Sequence, residues 1–173
     1  MSATPHPPFD AWPIQVEDPR FGFAWYARPA TFVSQVTVAH GTAEVARAIL
    51  ELIDLVTTHR AAEVRAASGL LLVHDWRAAK SYDKDARTVF TQRVRARRPG
   101  EIRGTIVAIS RPHAVLRMAV QAVNLIAAVT SKSPIEIVES LDGVLQAREI
   151  SPPVAGEAFP GRRGRTTSLP PPR

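Results

Sequence analysis

The sequence predicts an α/β fold, a single domain in which a mixed β-sheet alternates with helices. The chain has 173 residues, and a domain typically has about 100–200. Apolar residues recur with a period of two in some segments and with helical spacing in others, and the two kinds of segment alternate along the chain. Such alternation is typical of βαβ units, which form parallel or mixed sheets with right-handed crossovers.

Proline and aromatic residues divide the chain into three parts. Prolines are dense in residues 1–30 and 151–173 and sparse between them, so we place the domain at residues 31–150. Most of the aromatic residues lie at or before Phe32, and we expect residues 1–30 to dock on the core. Residues 151–173 are basic, proline-rich and poor in large apolar side chains, which predicts a disordered tail.

Composition narrows the possible classes of function. The chain has no cysteine, 45% hydrophobic residues and a formal net charge of +6. Without cysteine it can form no disulfide, thiolate zinc site or thiol nucleophile. The N-terminus lacks the basic and apolar regions of a signal peptide, and no apolar run approaches the roughly 20 residues of a membrane span. We therefore expect a cytoplasmic protein.

The first predicted elements are two strands and a helix. Phe21, Phe23 and Trp25 alternate with other residues at the period of a strand. Residues 31–38 (TFVSQVTV) are rich in β-branched side chains, which favours a second strand. Thr42 then opens a helix, whose apolar side chains share one face: Val45, Ile49, Leu52, Ile53 and Val56.

The later elements continue the alternation. Residues 70–73 form a continuous apolar run, as expected for a strand covered on both sides. The second predicted helix runs from Ser81 or Asp83 to Arg98, and its inward side chains are Ala86, Val89, Phe90 and Val94. The remaining predictions are a strand at 105–109, a third helix at 111–130, a strand at 135–138 and a fourth helix at 141–149.

This order of elements resembles the STAS domain, the fold of the anti-sigma-factor antagonists, which has CRAL-TRIO-like relatives. In the family, a strand ending in Asp-Leu is followed eight residues later by Asp-Ser-Ser-Gly-Leu at the start of the second helix. Here Asp75 ends the strand and Asp83 stands eight residues later. Lys84 and Asp85 replace the two serines, so the phosphorylatable serine is missing at its matched position. Residues 137–142 (IVESLD) also resemble the end of the family's domain.

The resemblance implies a non-enzymatic regulatory domain that binds a protein partner through the N-terminus of its second helix. The implied partner is a kinase, a sensor or another signalling protein, and in the family phosphorylation at this helix breaks the complex. The contact residues here would be Ser81, Asp83, Asp85 and Arg87. We expect Ser81 to cap the helix, with a displaced phosphorylation site as the alternative, and the two aspartates to complement the helix dipole.

A dense group of arginines lies at the end of the second predicted helix and in the turn after it: Arg93, Arg95, Arg97, Arg98 and Arg103. Arginine side chains match phosphate and carboxylate groups, which makes an anion or nucleic-acid binder an alternative function. Basic residues are also favoured at a helix C-terminus without any ligand. No aromatic residues are interleaved with these arginines, which argues against nucleic acid as the main partner.

The third predicted helix is apolar almost all round, so it is expected to be buried on several sides. We expect cover by the protein's own N-terminal segment or by a second copy in a homodimer. A lipid or other apolar ligand in a pocket is a further alternative, which would make the protein a carrier or sensor. The residues proposed for this contact are Val115, Met118, Ala119, Ala122 and Ile126.

No motif for metal, cofactor or catalysis is present. The five histidines show no metal-ligand spacing. The sequence also lacks a phosphate-binding loop, a dinucleotide-binding glycine pattern and a nucleophile elbow. We therefore expect no cofactor, no metal and no enzymatic activity.

Overall fold

The computed structural model describes residues 15–27, 29–110 and 135–150. These ranges contain eight strands and four helices. The strands are β1 (Gln15–Asp18), β2 (Gly22–Ala27), β3 (Thr31–Val36), β4 (His40–Gly41), β5 (Leu70–Asp75), β6 (Ser81–Tyr82), β7 (Ile102–Ala108) and β8 (Ile135–Val138). The helices are α1 (Ala43–His59), α2 (Ala61–Ala66), α3 (Lys84–Ala96) and α4 (Leu141–Ala147).

Six of the strands form one mixed sheet in the order β1-β2-β3-β5-β7-β8. The first three are antiparallel neighbours, whereas β3, β5, β7 and β8 run parallel. Neighbouring parallel strands need a crossover connection. The crossover from β3 to β5 contains α1 and α2, and that from β5 to β7 contains α3. The predicted α/β class with a mixed sheet is confirmed.

Within residues 15–27, the described part of the N-terminal segment, aromatic residues reach the core in this sheet and in the turn between its first two strands. Trp25 in β2 lies opposite Val33 in β3, and Phe21 in the preceding turn is fully buried. The turn is held by the buried carboxylate of Asp18, which accepts hydrogen bonds from the backbone N–H and the guanidinium of Arg20. A carboxylate in such a place needs these partners, because an unpaired buried charge is costly.

Helices α1 and α3 cover one face of the sheet. The Thr42 hydroxyl caps α1 by accepting a hydrogen bond from the Val45 N–H. The predicted inward face of α1 is confirmed, since all five of its members are buried. They share a core with Phe32 and Leu72 of the sheet, against which Val89 and Phe90 of α3 pack. All six residues of β5 are buried, as predicted for a central strand.

A second apolar cluster covers the opposite face of the sheet. Leu141, at the start of α4, and Ile150, after its end, are buried there. They share the cluster with Trp25, Val33 and Val73. The parallel strands are therefore enclosed by apolar side chains on both faces, which is the usual condition of parallel sheets.

The start of the second long helix differs from the prediction. We expected Ser81 to cap it, but the cap is Asp83, whose Oδ1 accepts a hydrogen bond from the Ala86 N–H at 2.6 Å. Ser81 lies two residues earlier, in β6, where it pairs with His40 of β4. It is therefore part of a strand and cannot act as the cap. The short elements α2, β1, β4 and β6 were not predicted.

Several predictions fall on residues outside the described ranges. The third predicted helix lies there, together with its candidate dimer or pocket residues Val115, Met118, Ala119, Ala122 and Ile126. The tail at residues 151–173 also lies outside them. Among the described helices, none is long and apolar enough to cross a membrane.

Gly69, at the entrance to β5, permits a close approach of two backbone segments. Its φ is +119°, and a Cβ atom there would lie 2.7 Å from the Arg103 nitrogen and 2.9 Å from the Gly100 oxygen. Because of this strain and crowding, Gly69→Ala is expected to lower the free energy of unfolding by about 1–3 kcal/mol. Urea denaturation measures this change.

The control for this prediction is Gly143→Ala in α4, where a Cβ atom would meet nothing within 4 Å. That change is expected to raise the free energy of unfolding slightly, because alanine favours helix over glycine. Equal stability of the Gly69→Ala variant and the wild type would contradict the conclusion that position 69 requires glycine.

Candidate functional site

The loop between β5 and α3 is held in place by a small parallel ladder. His40 and Gly41 of β4 pair with Ser81 and Tyr82 of β6. Backbone hydrogen bonds extend the contact, since the Lys80 N–H donates to the Ala39 oxygen at 2.8 Å and the Asp83 N–H donates to the Gly41 oxygen at 3.0 Å. The entrance to α3 is thus tied to the entrance to α1.

The side chains of this ladder form an exposed polar pair. The Ser81 Oγ and the His40 Nδ1 lie 2.7 Å apart, and both residues are exposed. The predicted contact residue Ser81 is therefore accessible, but its hydroxyl is engaged by a histidine rather than by the helix. No sequence pattern pointed to His40, because the pair joins residues 41 positions apart.

The first turn of α3 and its cap carry two exposed carboxylates and two exposed cations, Lys84 and Arg87. Asp83 is the N-cap, and Asp85 lies in the first turn. The side chain of Asp83 is committed to the Ala86 N–H, whereas Asp85 and Arg87 point their charges to solvent. Carboxylates are favoured at this end of a helix by the free N–H groups and the dipole. The structure brings all four predicted contact residues to one short stretch before and within the first turn of α3.

An aromatic cluster lies next to this turn. The ring centroids of Trp76 and Tyr82 are 5.2 Å apart, those of Trp76 and Phe90 5.7 Å, and those of Tyr82 and Phe90 6.0 Å. Trp76 is only 6% exposed. Tilted and edge-on aromatic pairs stabilise a fold beyond the contribution of their buried apolar area. The cluster therefore joins the end of β5, the ladder and α3 into one packed base.

Two details make this base close-fitting. A Cβ atom on Gly41 would lie 2.9 Å from Cδ2 of Tyr82. Any residue with a side chain at position 41 would therefore crowd the Tyr82 ring. Burial also raises the pKa of the Tyr82 phenol well above its usual range, so the hydroxyl stays protonated at neutral pH. The surface charges of β6 and the first turn of α3 thus come from two carboxylates and two cations: Asp83, Lys84, Asp85 and Arg87.

The predicted arginine cluster separates into two groups. Arg93 and Arg97 both form ion pairs with Asp54 of α1, and Arg97, with 7% of its side chain exposed, also binds Glu101 at 2.8 Å. These two arginines join α3 to α1. The others, Arg95, Arg98 and Arg103, are exposed.

A second buried polar pair lies within the core of the sheet. The Ser34 Oγ of β3 and the His74 Nδ1 of β5 are 2.7 Å apart, and both residues are buried. Burial, with a smaller contribution from the charge of Arg97, lowers the pKa of His74 from 6.5 to about 4. The imidazole is therefore neutral at physiological pH. Among the described residues, no group of three or more histidine or acidic side chains could hold a metal ion.

Comparisons with known proteins give no relative for this chain. No protein-family model, no curated protein and no solved structure matches it.

Proposed function

We propose that the protein is a STAS-like, non-enzymatic regulatory domain that binds a protein partner through the first turn of α3. The order of strands and helices is consistent with the resemblance to the STAS domain. In that resemblance, this turn follows the strand that corresponds to β5. In the proteins that this chain resembles, the corresponding turn is the surface on which a partner kinase or sensor docks. The proposal includes a cytoplasmic location.

The observation that carries the proposal is an exposed charged turn, with Asp83, Lys84, Asp85 and Arg87, on a packed aromatic base. Trp76, Tyr82 and Phe90 hold the turn, so a partner would meet a surface that is already ordered. A pre-ordered surface loses less conformational entropy on binding. Asp85 can pair with lysine or arginine side chains of a partner, and the exposed Lys84 and Arg87 beside it can pair with carboxylates.

The residues of this turn also indicate how the contact would be regulated. Lys84 and Asp85 stand where the family has its two serines, so the turn holds no hydroxyl at those positions. The family's switch adds negative charge by phosphorylation. Here Asp83 and Asp85 supply negative charge permanently, and the contact would be constitutive with respect to phosphorylation at these positions.

The test is affinity capture from the native cells with the wild type and an Asp83→Asn, Asp85→Asn variant. Asparagine keeps the capacity to cap the helix while removing both charges. We expect the variant to bind the captured partner about tenfold more weakly, the equivalent of about 1.4 kcal/mol, as measured by titration with the purified partner.

A matched control removes two negative charges elsewhere. Asp142→Asn and Glu149→Gln change exposed residues in and just after α4. This control variant is expected to bind as the wild type does. The proposal fails if wild type and the Asp83/Asp85 variant bind the partner equally, or if the wild type captures no protein above background.

A further inference from the structure

The end of the molecule opposite the α3 entrance carries exposed arginines. Because α3 runs back along the sheet after β5, its last turn lies near the start of β7. Arg95 is in that last turn, Arg98 follows it, and Arg103 is the second residue of β7. Arg65, in the last turn of α2, is exposed at the same end. We call Arg65, Arg95, Arg98 and Arg103 the basic end.

Backbone and side-chain contacts bring these segments together. The Arg103 guanidinium donates a hydrogen bond to the Ala67 oxygen at 3.1 Å, just after α2. The Leu70 N–H donates to the Glu101 oxygen at 2.9 Å. The turn that carries Arg98 and the segment that carries Arg65 are therefore packed side by side.

The positive charge of the basic end is not neutralised locally. Of the carboxylates nearby, Glu101 binds the largely buried Arg97 and the backbone N–H of Arg98. Glu63 is directed at the Tyr26 hydroxyl. The side chains of Arg95 and Arg98 form no ion pair or hydrogen bond within the described residues. Four guanidinium groups thus face solvent at one end.

The neighbouring surface indicates which kind of anion would bind. A protein partner would need an apolar anchor at the centre of its contact, but the exposed neighbours here are small or turn-forming residues such as Ala66, Pro99 and Gly100. Single-stranded nucleic acid would need aromatic rings for stacking, and the aromatic cluster lies at the other end of α3. Recognition of a duplex backbone needs only positive charge and hydrogen-bond donors.

We infer that the basic end binds the phosphate backbone of double-stranded nucleic acid without sequence preference. The arginine forks match phosphate oxygens. This surface is distinct from the first turn of α3, so the inference does not depend on the proposed function. The basic end also differs from the predicted arginine cluster. It excludes Arg93 and Arg97, which form ion pairs with Asp54, and it includes Arg65.

The test is fluorescence anisotropy of the full chain with labelled duplexes of about 20 base pairs, one of DNA and one of RNA, as salt is raised from about 50 to about 200 mM. With four phosphate contacts, the affinity should fall about 100-fold over this range. Equal binding of the two duplexes would identify the phosphate backbone as the shared target, whereas a preference would identify the duplex form that the basic end fits.

Substitutions locate the contact. Replacing all four arginines of the basic end with glutamine is expected to weaken binding at least tenfold at low salt and to flatten the salt dependence. A variant with only Arg95→Gln and Arg98→Gln should show an intermediate loss of affinity. These two substitutions break no side-chain hydrogen bond within the described residues. A control variant removes four exposed positive charges elsewhere, at Arg47, Lys80, Lys84 and Arg148, and should bind more tightly than the basic-end variant.

Three results would overturn the inference. One is the absence of binding by the wild type at low salt. Another is an equal loss in the control and basic-end variants, which would mean that net charge alone decides. The third combines two observations: the basic-end variant binds with wild-type affinity, and binding is lost completely when the tail residues Arg162, Arg163 and Arg165 are replaced with glutamine. The tail would then be the binding element. Thermal unfolding of each variant establishes that it is folded.

Discussion

Trp76→Ala is expected to lower the free energy of unfolding by about 3–5 kcal/mol, the usual cost of removing a large buried aromatic side chain. Trp76 is 6% exposed and contacts both Tyr82 and Phe90. Its removal leaves a cavity where β5, the β4–β6 ladder and α3 meet. The same variant should lose partner binding, because the first turn of α3 would no longer rest on an ordered base.

Trp76→Phe separates packing from hydrogen bonding. The indole Nε1 is buried and has no hydrogen-bond partner among the described residues, so phenylalanine sacrifices contact area without breaking a bond. We expect a loss of about 1 kcal/mol, measured by urea denaturation followed by far-ultraviolet circular dichroism. If Trp76→Ala does not fold, Trp76→Phe and Phe90→Leu still give a graded series. A Trp76→Ala variant as stable as the wild type would show that the cluster does not hold α3.

Local sequence patterns were sufficient to predict most of the elements. The spacing of five apolar side chains identified the inward face of α1, and all five are buried. The last strand was predicted at residues 135–138, and β8 has these bounds. Both features depend on side chains within a single segment, so hydrophobic period and β-branched composition were enough to identify them.

Contacts between distant segments could not be predicted in this way. Ser81 has the residue type and position of an N-cap, yet its hydroxyl pairs with His40, 41 residues away. Arg97 has the position of a solvated residue at a helix end, yet it bonds to Asp54, 43 residues away. Each outcome depends on which elements pack side by side, and the local sequence does not encode that.

Helices α1 and α3 carry charges that complement their dipoles. Glu44 and Asp85 lie in the first turns of α1 and α3, and Arg93 and Arg95 lie in the last turn of α3. The favourable interaction of charge with dipole explains this distribution without a ligand. The proposed partner surface at the first turn of α3 and the basic end lie at opposite ends of this helix, so substitutions at one surface can be tested without altering the other.

Acidification is expected to destabilise the fold through His74. Burial lowers the pKa of this imidazole from 6.5 to about 4, so the folded protein binds the proton less readily than the unfolded chain does. The stabilisation by neutral His74 is fully present above pH 6.5 and is lost as the pH falls toward about 4. The shift corresponds to about 3 kcal/mol in the free energy of unfolding, measured by urea denaturation across this range.

His74→Asn tests the assignment of this pH dependence. The asparagine oxygen can accept a hydrogen bond from the Ser34 hydroxyl, as the imidazole Nδ1 can, but the amide does not titrate. The variant should be less stable at pH 7, because the smaller side chain leaves space in the core, yet its stability should fall less steeply between pH 6.5 and 4. His40→Asn, which removes an exposed histidine, controls for the loss of an imidazole. Parallel pH profiles for wild type and His74→Asn would contradict the assignment, because a buried neutral His74 must gain a proton on unfolding in this range.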